Sequence, residues 1–419
     1  MTELTNNLQN NERVLLVCVD TGEYDVKVSF EELEELTETA GGKVCAKVVQ
    51  KRPSPDVAYC IGKGTLLNTA QLCEKEDIDL VIFDRELTAT QIRNIEDILD
   101  RKVIDRTMLI LDIFAQRATT HEGRLQVEIA QNKYLLPRLS GMRKNLSRLG
   151  GGIGTRGPGE TKLETDRRHI RARIKKLSDE LESIEKRRML FRKKRKKDGT
   201  LTVAVVGYTN VGKSTLMNTL TNAGVLAENK LFATLETTSR SVLLPDGRQI
   251  ILVDTVGLIR RLPHQLVEAF KSTLEEASDA DLILHVCDAS SDECEDEAKV
   301  TRELLKEIGC EGIPVVTVLN KCDKVPYIDN LILDECDNAV KISAKTGEGT
   351  DRLLTAISKA LPLDSVRCRL FVPFDEGALL NEIRKDGVVF SQDYTENGII
   401  ADVLCNNRIY DKCKEFTVQ

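Results

Sequence analysis

Tryptophan is absent, and the aromatic types together make up only 4% of the 419 residues. A chain so poor in flat rings offers few platforms for stacking bases, so such stacking is not expected to dominate any contact with RNA. No apolar run reaches the roughly 18 residues that a membrane-spanning helix needs, and the polar start Met1-Thr-Glu-Leu-Thr-Asn-Asn shows no signal peptide. Paired cysteines are missing too. The twelve cysteines come singly, with no C-x-x-C, and several (Cys18, Cys287, Cys405) lie in apolar strands where buried free thiols are common. Reduced thiols are therefore expected in place of a disulfide framework or a zinc site. A basic surplus is lacking as well: the net charge is −7, which does not favour nucleic acid overall, although the charge is unevenly placed. What remains, 41% hydrophobic residues over this length, suits ordinary cores in roughly two to four domains.

Residues 13–120 alternate strands with helices. Val14-Leu-Leu-Val-Cys-Val19, Val44-Cys-Ala-Lys-Val-Val49, Leu80-Val-Ile-Phe83 and the short Val103-Ile104 read as strands. Phe30–Leu36, Thr65–Glu76 and Thr88–Leu99 have helical spacing, which predicts a small parallel sheet carrying helices. Gly62-Lys63-Gly64 sits at a loop-to-helix entry, where a plain turn is the simpler reading beside a second nucleotide site or an RNA contact.

Residues 121–199 differ. Leu125, Ile129, Leu136 and Leu139 suggest one helix, with Pro137 expected to kink it. The glycine-dense Gly150–Gly159 has to be a loop. Ile170, Ile174, Leu177, Leu181 and Ile184 then make a heptad seam, so the two helices form an antiparallel hairpin. Its tip carries Arg143, Lys144, Arg148 and Arg156. The second helix ends in Lys186–Lys197, nine basic residues in twelve. A helix dipole favours some positive charge at that end. This density exceeds what the dipole uses and points to a polyanion. Asp198-Gly199 closes the segment. The expected organisation is an α/β domain (1–120), the hairpin (121–199), an α/β domain with a parallel-rich sheet and a P-loop (200–365), and a small α+β domain (366–419) with no cluster of catalytic residue types.

The chemistry concentrates in the third segment. Val203-Ala-Val-Val206 is a buried strand, Gly207-Tyr208-Thr209-Asn210-Val211-Gly212-Lys213-Ser214-Thr215 follows, and Leu216–Leu220 continues as a helix. Strand, glycine loop and helix start are the setting of a P-loop. The glycines allow a tight turn whose N–H groups face one point, the helix start adds positive dipole, and Lys213 adds a full charge. The Ser214 hydroxyl suits Mg²⁺. A second strand ends in Asp254-Thr255-Val256-Gly257. Its acid holds Mg²⁺ through water, and the Gly257 N–H reaches the γ-phosphate. Between them lies Phe232-Ala233-Thr234-Leu235-Glu236, where Thr234 is the expected second Mg²⁺ ligand. Leu258 offers water no hydrogen bond, and many of the GTPases that this pattern resembles place a glutamine there to orient it, so turnover alone should be slow. Asn210 lies inside the P-loop at the position where some of those GTPases use Asn to hold a potassium ion, and the resemblance makes it the candidate residue for K⁺.

A later strand delivers Asn320-Lys321-Cys322-Asp323. A carboxylate at Asp323 accepts from guanine N1–H and the 2-amino group together, a donor pair adenine lacks. Asn320 ties this loop to the P-loop, the Lys321 stem covers the base, and in Ser343-Ala344-Lys345 the Ala344 N–H is the expected partner of guanine O6.

In this order the motifs resemble the translation-factor-related P-loop GTPases. Residues Gly150–Arg168, with Phe232-Ala-Thr-Leu235, Asp254-Thr-Val-Gly-Leu258 and Tyr59-Cys-Ile-Gly-Lys-Gly64, are similar to the HflX GTPases over about 13–365. Residues 236–238, Glu-Thr-Thr, depart from the Asp-Pro-Thr usual in that family. The resemblance implies a cytoplasmic GTPase that binds GTP and GDP, associates with the large ribosomal subunit through ribosomal RNA, and splits or rescues stalled ribosomes. A nonenzymatic adaptor that GTP merely locks is the alternative.

Overall fold

The computed structural model describes residues 12–140, 162–197, 200–221, 238–255, 257–261, 276–325, 339–361, 365–395 and 397–418. The chain divides into two compact units: residues 1–184 with 229–235 and 261–270, and residues 185–228, 236–260 and 271–419.

In the first unit, strands β1 (Arg13–Asp20), β2 (Lys43–Lys51), β3 (Leu80–Phe83) and β4 (Lys102–Asp105) form an all-parallel sheet in the order β2-β1-β3-β4. Helices α1 (Val26–Thr39), α2 (Lys63–Lys75), α3 (Ala89–Leu99) and α4 (Arg106–Arg117) connect and follow them. β1 and β3 are buried on both faces, which is why they read as unbroken apolar runs. The α3 start is fixed by a capping box between Thr88 and Gln91. Sequence periodicity missed α4, because Leu109, Ile110, Leu111, Ile113 and Phe114 are all buried and leave no polar face to mark a helical period.

Helix α5 (His121–Leu135) ends before Pro137. The expected kinked helix through Leu139 is therefore replaced by a stop and a short 3-10 turn, Arg138–Ser140. Pro137 has no N–H for a helix interior, and Arg138 turns back to donate to the Tyr134 carbonyl at 3.0 Å. Helix α6 (Lys162–Lys197) pairs antiparallel with α5: His121 meets Glu180 at 2.9 Å and Glu128 meets Arg173 at 2.6 Å. Leu177, Leu181 and Ile184 of the seam pack with Leu125 and Ile129, while Ile170 and Ile174 are only half-buried. The glycine loop and Arg143, Lys144, Arg148 and Arg156 lie outside the described residues.

The second unit holds a six-stranded sheet in the order β10-β9-β8-β5-β7-β6, built from β5 (Leu201–Gly207), β6 (Ser239–Leu243), β7 (Gln249–Asp254), β8 (Leu282–Asp288), β9 (Val315–Asn320) and β10 (Val340–Lys341). All neighbours are parallel except the edge pair β6–β7. Helices α7 (Lys213–Thr221), α8 (Cys294–Glu307) and α9 (Thr350–Ala360) accompany it. A three-stranded antiparallel sheet, β11 (Ser365–Pro373), β13 (Gly398–Asn406) and β12 (Val388–Thr395), follows. It packs Leu370, Val372, Ala401 and Val403 against Leu380 and Ile383 of α10 (Gly377–Asp386) and Ile409 of α11 (Asn407–Cys413). Among the described residues, no helix is long and apolar enough to cross a membrane.

Candidate nucleotide site

Open parallel sheets bind ligands at the carboxyl ends of their strands, where neighbouring connections leave in opposite directions. In the second unit β5 is that strand, lying between β7 and β8. Its loop is braced on both sides. Thr209 N–H donates to the Leu258 carbonyl at 2.7 Å, Leu258 N–H donates to the Gly207 carbonyl at 3.2 Å, and the Asn320 amide donates to the Val211 carbonyl at 2.7 Å. Asn210 takes a left-handed conformation at φ +62, which asparagine tolerates better than most residues. Gly212, at φ +95, has a further reason to be glycine: a Cβ there would stand 2.4 Å from Asn320 Nδ2.

Lys213 opens α7 and is buried. Its ammonium donates to the carbonyls of Gly207 at 3.0 Å and Tyr208 at 2.7 Å, so it is folded back over the loop. Burial pulls its pKa down to about 8, and the Asp254 carboxylate partly offsets that. Ser214 donates its hydroxyl to Asp254 at 3.1 Å, so the two expected Mg²⁺ elements meet. A hydroxyl and a carboxylate are the oxygen ligands a hard cation takes, and the residues fit Mg²⁺. Gly257 passes so close that a Cβ would lie 2.7 Å from Thr209 Cγ2 and 3.0 Å from Lys213 Nζ. Only glycine brings its backbone to that point without a shift. Leu258, beside it, is buried in the sheet's core cluster, which removes it from any contact with water. Thr255 is also inward, donating to the Val205 carbonyl at 2.8 Å. Thr215, in the first turn of α7, is half-buried. Phe232, Ala233, Thr234, Leu235, Glu236 and Val256 lie outside the described residues.

Lys321 sits at φ +63, turning the chain sharply after β9. Asp323 is exposed and accepts from the Ser343 hydroxyl at 2.7 Å, a bond that lowers its pKa. Cys322 is half-buried and donates to the Leu319 carbonyl, which makes it structural; Lys345 is exposed. The Ala344 N–H, the expected partner of guanine O6, donates to Asn320 Oδ1 at 2.8 Å. Asn320 thus ties three loops together, because its amide serves the P-loop while its carbonyl serves Ser343–Lys345. Sequence reasoning missed two links. Thr219 of α7 donates to the Ala344 carbonyl at 2.6 Å, and Lys321 pairs with Asp288 at 2.6 Å. Asp288 was legible: like Asp254, it is an acid ending an apolar strand.

The loop at Gly62 is less provided for. Its N–H goes to Gln50 Oε1 at 2.6 Å, and α2 starts there without a side-chain cap.

Family models place residues 27–115 as "GTP-binding GTPase N-terminal", 117–195 as "GTP-binding GTPase Middle Region" and 202–321 as "50S ribosome-binding GTPase". The chain is 47% identical over 412 residues to the GTPase HflX of Caldanaerobacter subterraneus subsp. tengcongensis, covering 98% of this chain and 95% of that protein. It is 41% identical over 396 residues to the GTPase HflX of Escherichia coli K12, covering 93% and 92%. A GTP-binding protein from Sulfolobus solfataricus, solved in complex with GDP, aligns at TM-score 0.44 and 28% identity over 83% of this chain and 98% of that one. The full-length relatives and the order of motifs agree, and the chain belongs to the HflX family of GTPases, enzymes that bind and hydrolyse GTP.

Proposed function

We propose that this GTPase works on the large ribosomal subunit, splitting or rescuing stalled ribosomes in the cytoplasm, with its nucleotide state gating the contact. The observation that carries the reading is a basic run, Lys186–Lys197, at the end of the hairpin helix immediately before the GTPase sheet. The printed description of the matching family model, a 50S ribosome-binding GTPase, supports the same partner. We assign the four segments 1–120, 121–199, 200–365 and 366–419 as separate functional parts.

The nucleotide residues act as follows. Backbone N–H groups of Gly207–Thr215 cradle the phosphates, and Lys213 swings from the Gly207 and Tyr208 carbonyls onto them. Ser214 and Thr234 would hold Mg²⁺, with Asp254 behind Ser214, and the ion neutralises phosphate charge when bound. Gly257 N–H faces the γ-phosphate. Asp323 reads the guanine edge and Lys321 covers the ring. Asn210 is the candidate holder of K⁺. With Leu258 buried, the chain supplies no side chain at that position to orient water. Docking on ribosomal RNA then orders the segments around Thr234 and Asp254.

The deciding experiment is steady-state phosphate release with and without large ribosomal subunits, in potassium and in sodium. Slow turnover alone and a large rise with subunits is the expected result. No rise overturns the partner, and equal rates in the two salts overturn the K⁺ role. Asp323→Asn should move preference from GTP to XTP in a competition assay, and continued GTP preference overturns the base assignment.

A further inference from the structure

Between β8 and α8 the chain makes a short loop, and both of its ends hold a cation from elsewhere in the site. At its start, the Asp288 carboxylate accepts from Lys321 Nζ at 2.6 Å, the lysine read above as covering the base. At its end, the Glu293 carboxylate accepts from the Arg260 guanidinium at 2.6 Å. Arg260 is three residues beyond Gly257 and two beyond Leu258, whose backbone is bonded to the P-loop.

The loop between these grips is itself tied down. Asp288 also accepts from the Ser290 N–H at 2.9 Å and the Ser290 hydroxyl at 2.6 Å. Ala289 N–H donates to the Asn320 carbonyl at 2.9 Å, so the loop is fastened to the base-reading tetrapeptide by backbone as well as by charge. Glu293 N–H donates to the Ser291 hydroxyl at 3.2 Å, and Cys294 N–H to the Ser291 carbonyl at 3.2 Å. Both ion pairs are largely shielded from solvent, with side-chain exposures of 15% and 20% for Asp288 and Lys321 and 23% and 29% for Arg260 and Glu293. Charge-assisted bonds of this length and shielding fix orientation better than exposed pairs do.

We infer that residues 288–293 are a positioning bracket that couples guanine-ring binding to the segment following Gly257, with Asp288 setting Lys321 and Glu293 setting Arg260. The inference rests on the reading of Lys321 and Gly257 given above. A guanine ring settling under Lys321 reorients the Asp288 carboxylate, and the tied loop transmits that to Glu293. A γ-phosphate that draws in Gly257 pulls on Arg260 and reaches the same loop from the other side. Coupling of this kind is reciprocal, so it has a thermodynamic signature.

The test is a double-mutant cycle on the full chain with Asp288→Asn and Glu293→Gln, which keep side-chain shape and remove only charge. Affinities for GDP and a non-hydrolysable GTP analogue are measured for all four proteins, and the readout is the ratio of the two. Asp288→Asn should weaken both nucleotides about tenfold, the loss of one charge-assisted contact. Glu293→Gln should leave GDP nearly unchanged and alter the analogue-to-GDP ratio severalfold. In the double variant that ratio should depart from the product of the single effects by threefold or more. A purely structural role would move both affinities and leave the ratio alone. Ratios that multiply within twofold overturn the bracket. Asp323→Asn in the same assay separates the two readings. If it shifts preference to xanthine nucleotides while the cycle is additive, only the bracket fails; if it does not shift, the base assignment beneath it fails.

Discussion

The two parallel sheets follow one architectural rule and end differently. Each has acids at the carboxyl ends of its strands: Asp84, just past β3, and Asp105, ending the edge strand β4, in the first unit, and Asp254 and Asp288 in the second. In the first unit these acids are consumed by arginines. Arg106 pairs with Asp84 at 3.1 Å and also with Glu32. Arg261, which belongs to the same unit, pairs with Asp84 at 2.8 Å, and Arg138 lies 3.5 Å from Asp105 and stacks 3.6 Å over Tyr134. In the GTPase sheet Asp254 meets a serine hydroxyl, and the nearby Lys213 is parked on two backbone carbonyls. A carbonyl holds an ammonium less strongly than a carboxylate or phosphate does. Asp288 of the GTPase sheet is itself paired with Lys321, so ion pairing at strand ends is common to both sheets. The comparison teaches that fold alone does not make a strand-end crevice a site, and what sets the second apart is a buried lysine, Lys213, held on carbonyls in place of a carboxylate.

The comparison breaks most sharply at Lys213. Lys213→Ala should cut phosphate release roughly a hundredfold to a thousandfold, the usual cost of one donor to developing charge. Thermal unfolding should barely change, because the variant loses a buried cation bonded to two carbonyls, whose desolvation outweighs the attraction of the Asp254 carboxylate. Comparable turnover in the variant would mean that the lysine is structural, like the arginines of the first unit.

Arg106→Met should show the reverse. Asp84 is fully buried, and removing its arginine should cost about 3 kcal/mol of stability in the first unit. Hydrogen exchange at β3 amides in the full chain reads that loss, while turnover per folded molecule stays near wild type. Unchanged protection of β3 would show that Arg261 alone suffices to hold Asp84.

Acid should act on the two sheets with opposite sign. His285 of β8 is buried, and burial pulls its pKa down to about 4. The unfolded chain therefore takes up a proton below about 6.5 that the folded chain refuses, so stability present above that pH is lost as pH falls towards 4, by up to about 3 kcal/mol. Burial pushes Asp105 up, despite Arg138 and two backbone donors, so its contribution grows on acidification and is lost as pH rises through the raised value. Exchange protection corrected for intrinsic rates, compared at pH 7 and pH 5, should fall at β8 and hold or rise at β4. His285→Gln should abolish the first effect.

The last effect concerns binding. Above pH 8 the nucleotide-free Lys213 begins to lose its proton, and phosphate binding has to restore it. GDP affinity should fall by about tenfold per pH unit from there towards the ordinary lysine value, with up to one proton taken up per nucleotide. Calorimetry in buffers of different ionisation enthalpy measures that uptake, and none at pH 9 would show that Lys213 stays charged when free.

Much of this was legible in the chain because parallel strands buried over most of their length are written as mainly apolar runs. Val203–Val206, Ile250–Val253 and Val315–Leu319, the last interrupted only by Thr317, each run directly into the motif they deliver, so pattern and chemistry mark one another. The edge strand Ser239–Leu243 was not legible, since four of its five residues are exposed and it has no apolar run. Helix α4 hid for the opposite reason, being buried nearly all round. Pro137 was read as a kink, yet a proline near a helix end stops it where the next side chain can satisfy the last carbonyls, as Arg138 does.

The sequence by itself determined the order of elements, the residue types of the P-loop and base-reading motifs, and the expectation of a guanine base at Asp323, because each depends on neighbours in the chain. Only the tertiary structure decided which polar groups were spent within the protein. Asn320 takes the Ala344 N–H, Asp288 takes Lys321, and arginines take Asp84 and Asp105. Those partners are distant in sequence and meet only because parallel strands bring their carboxyl ends to one edge. Hydrogen bonds and ion pairs act over a few ångströms of space, and spacing along the chain does not encode which ones form.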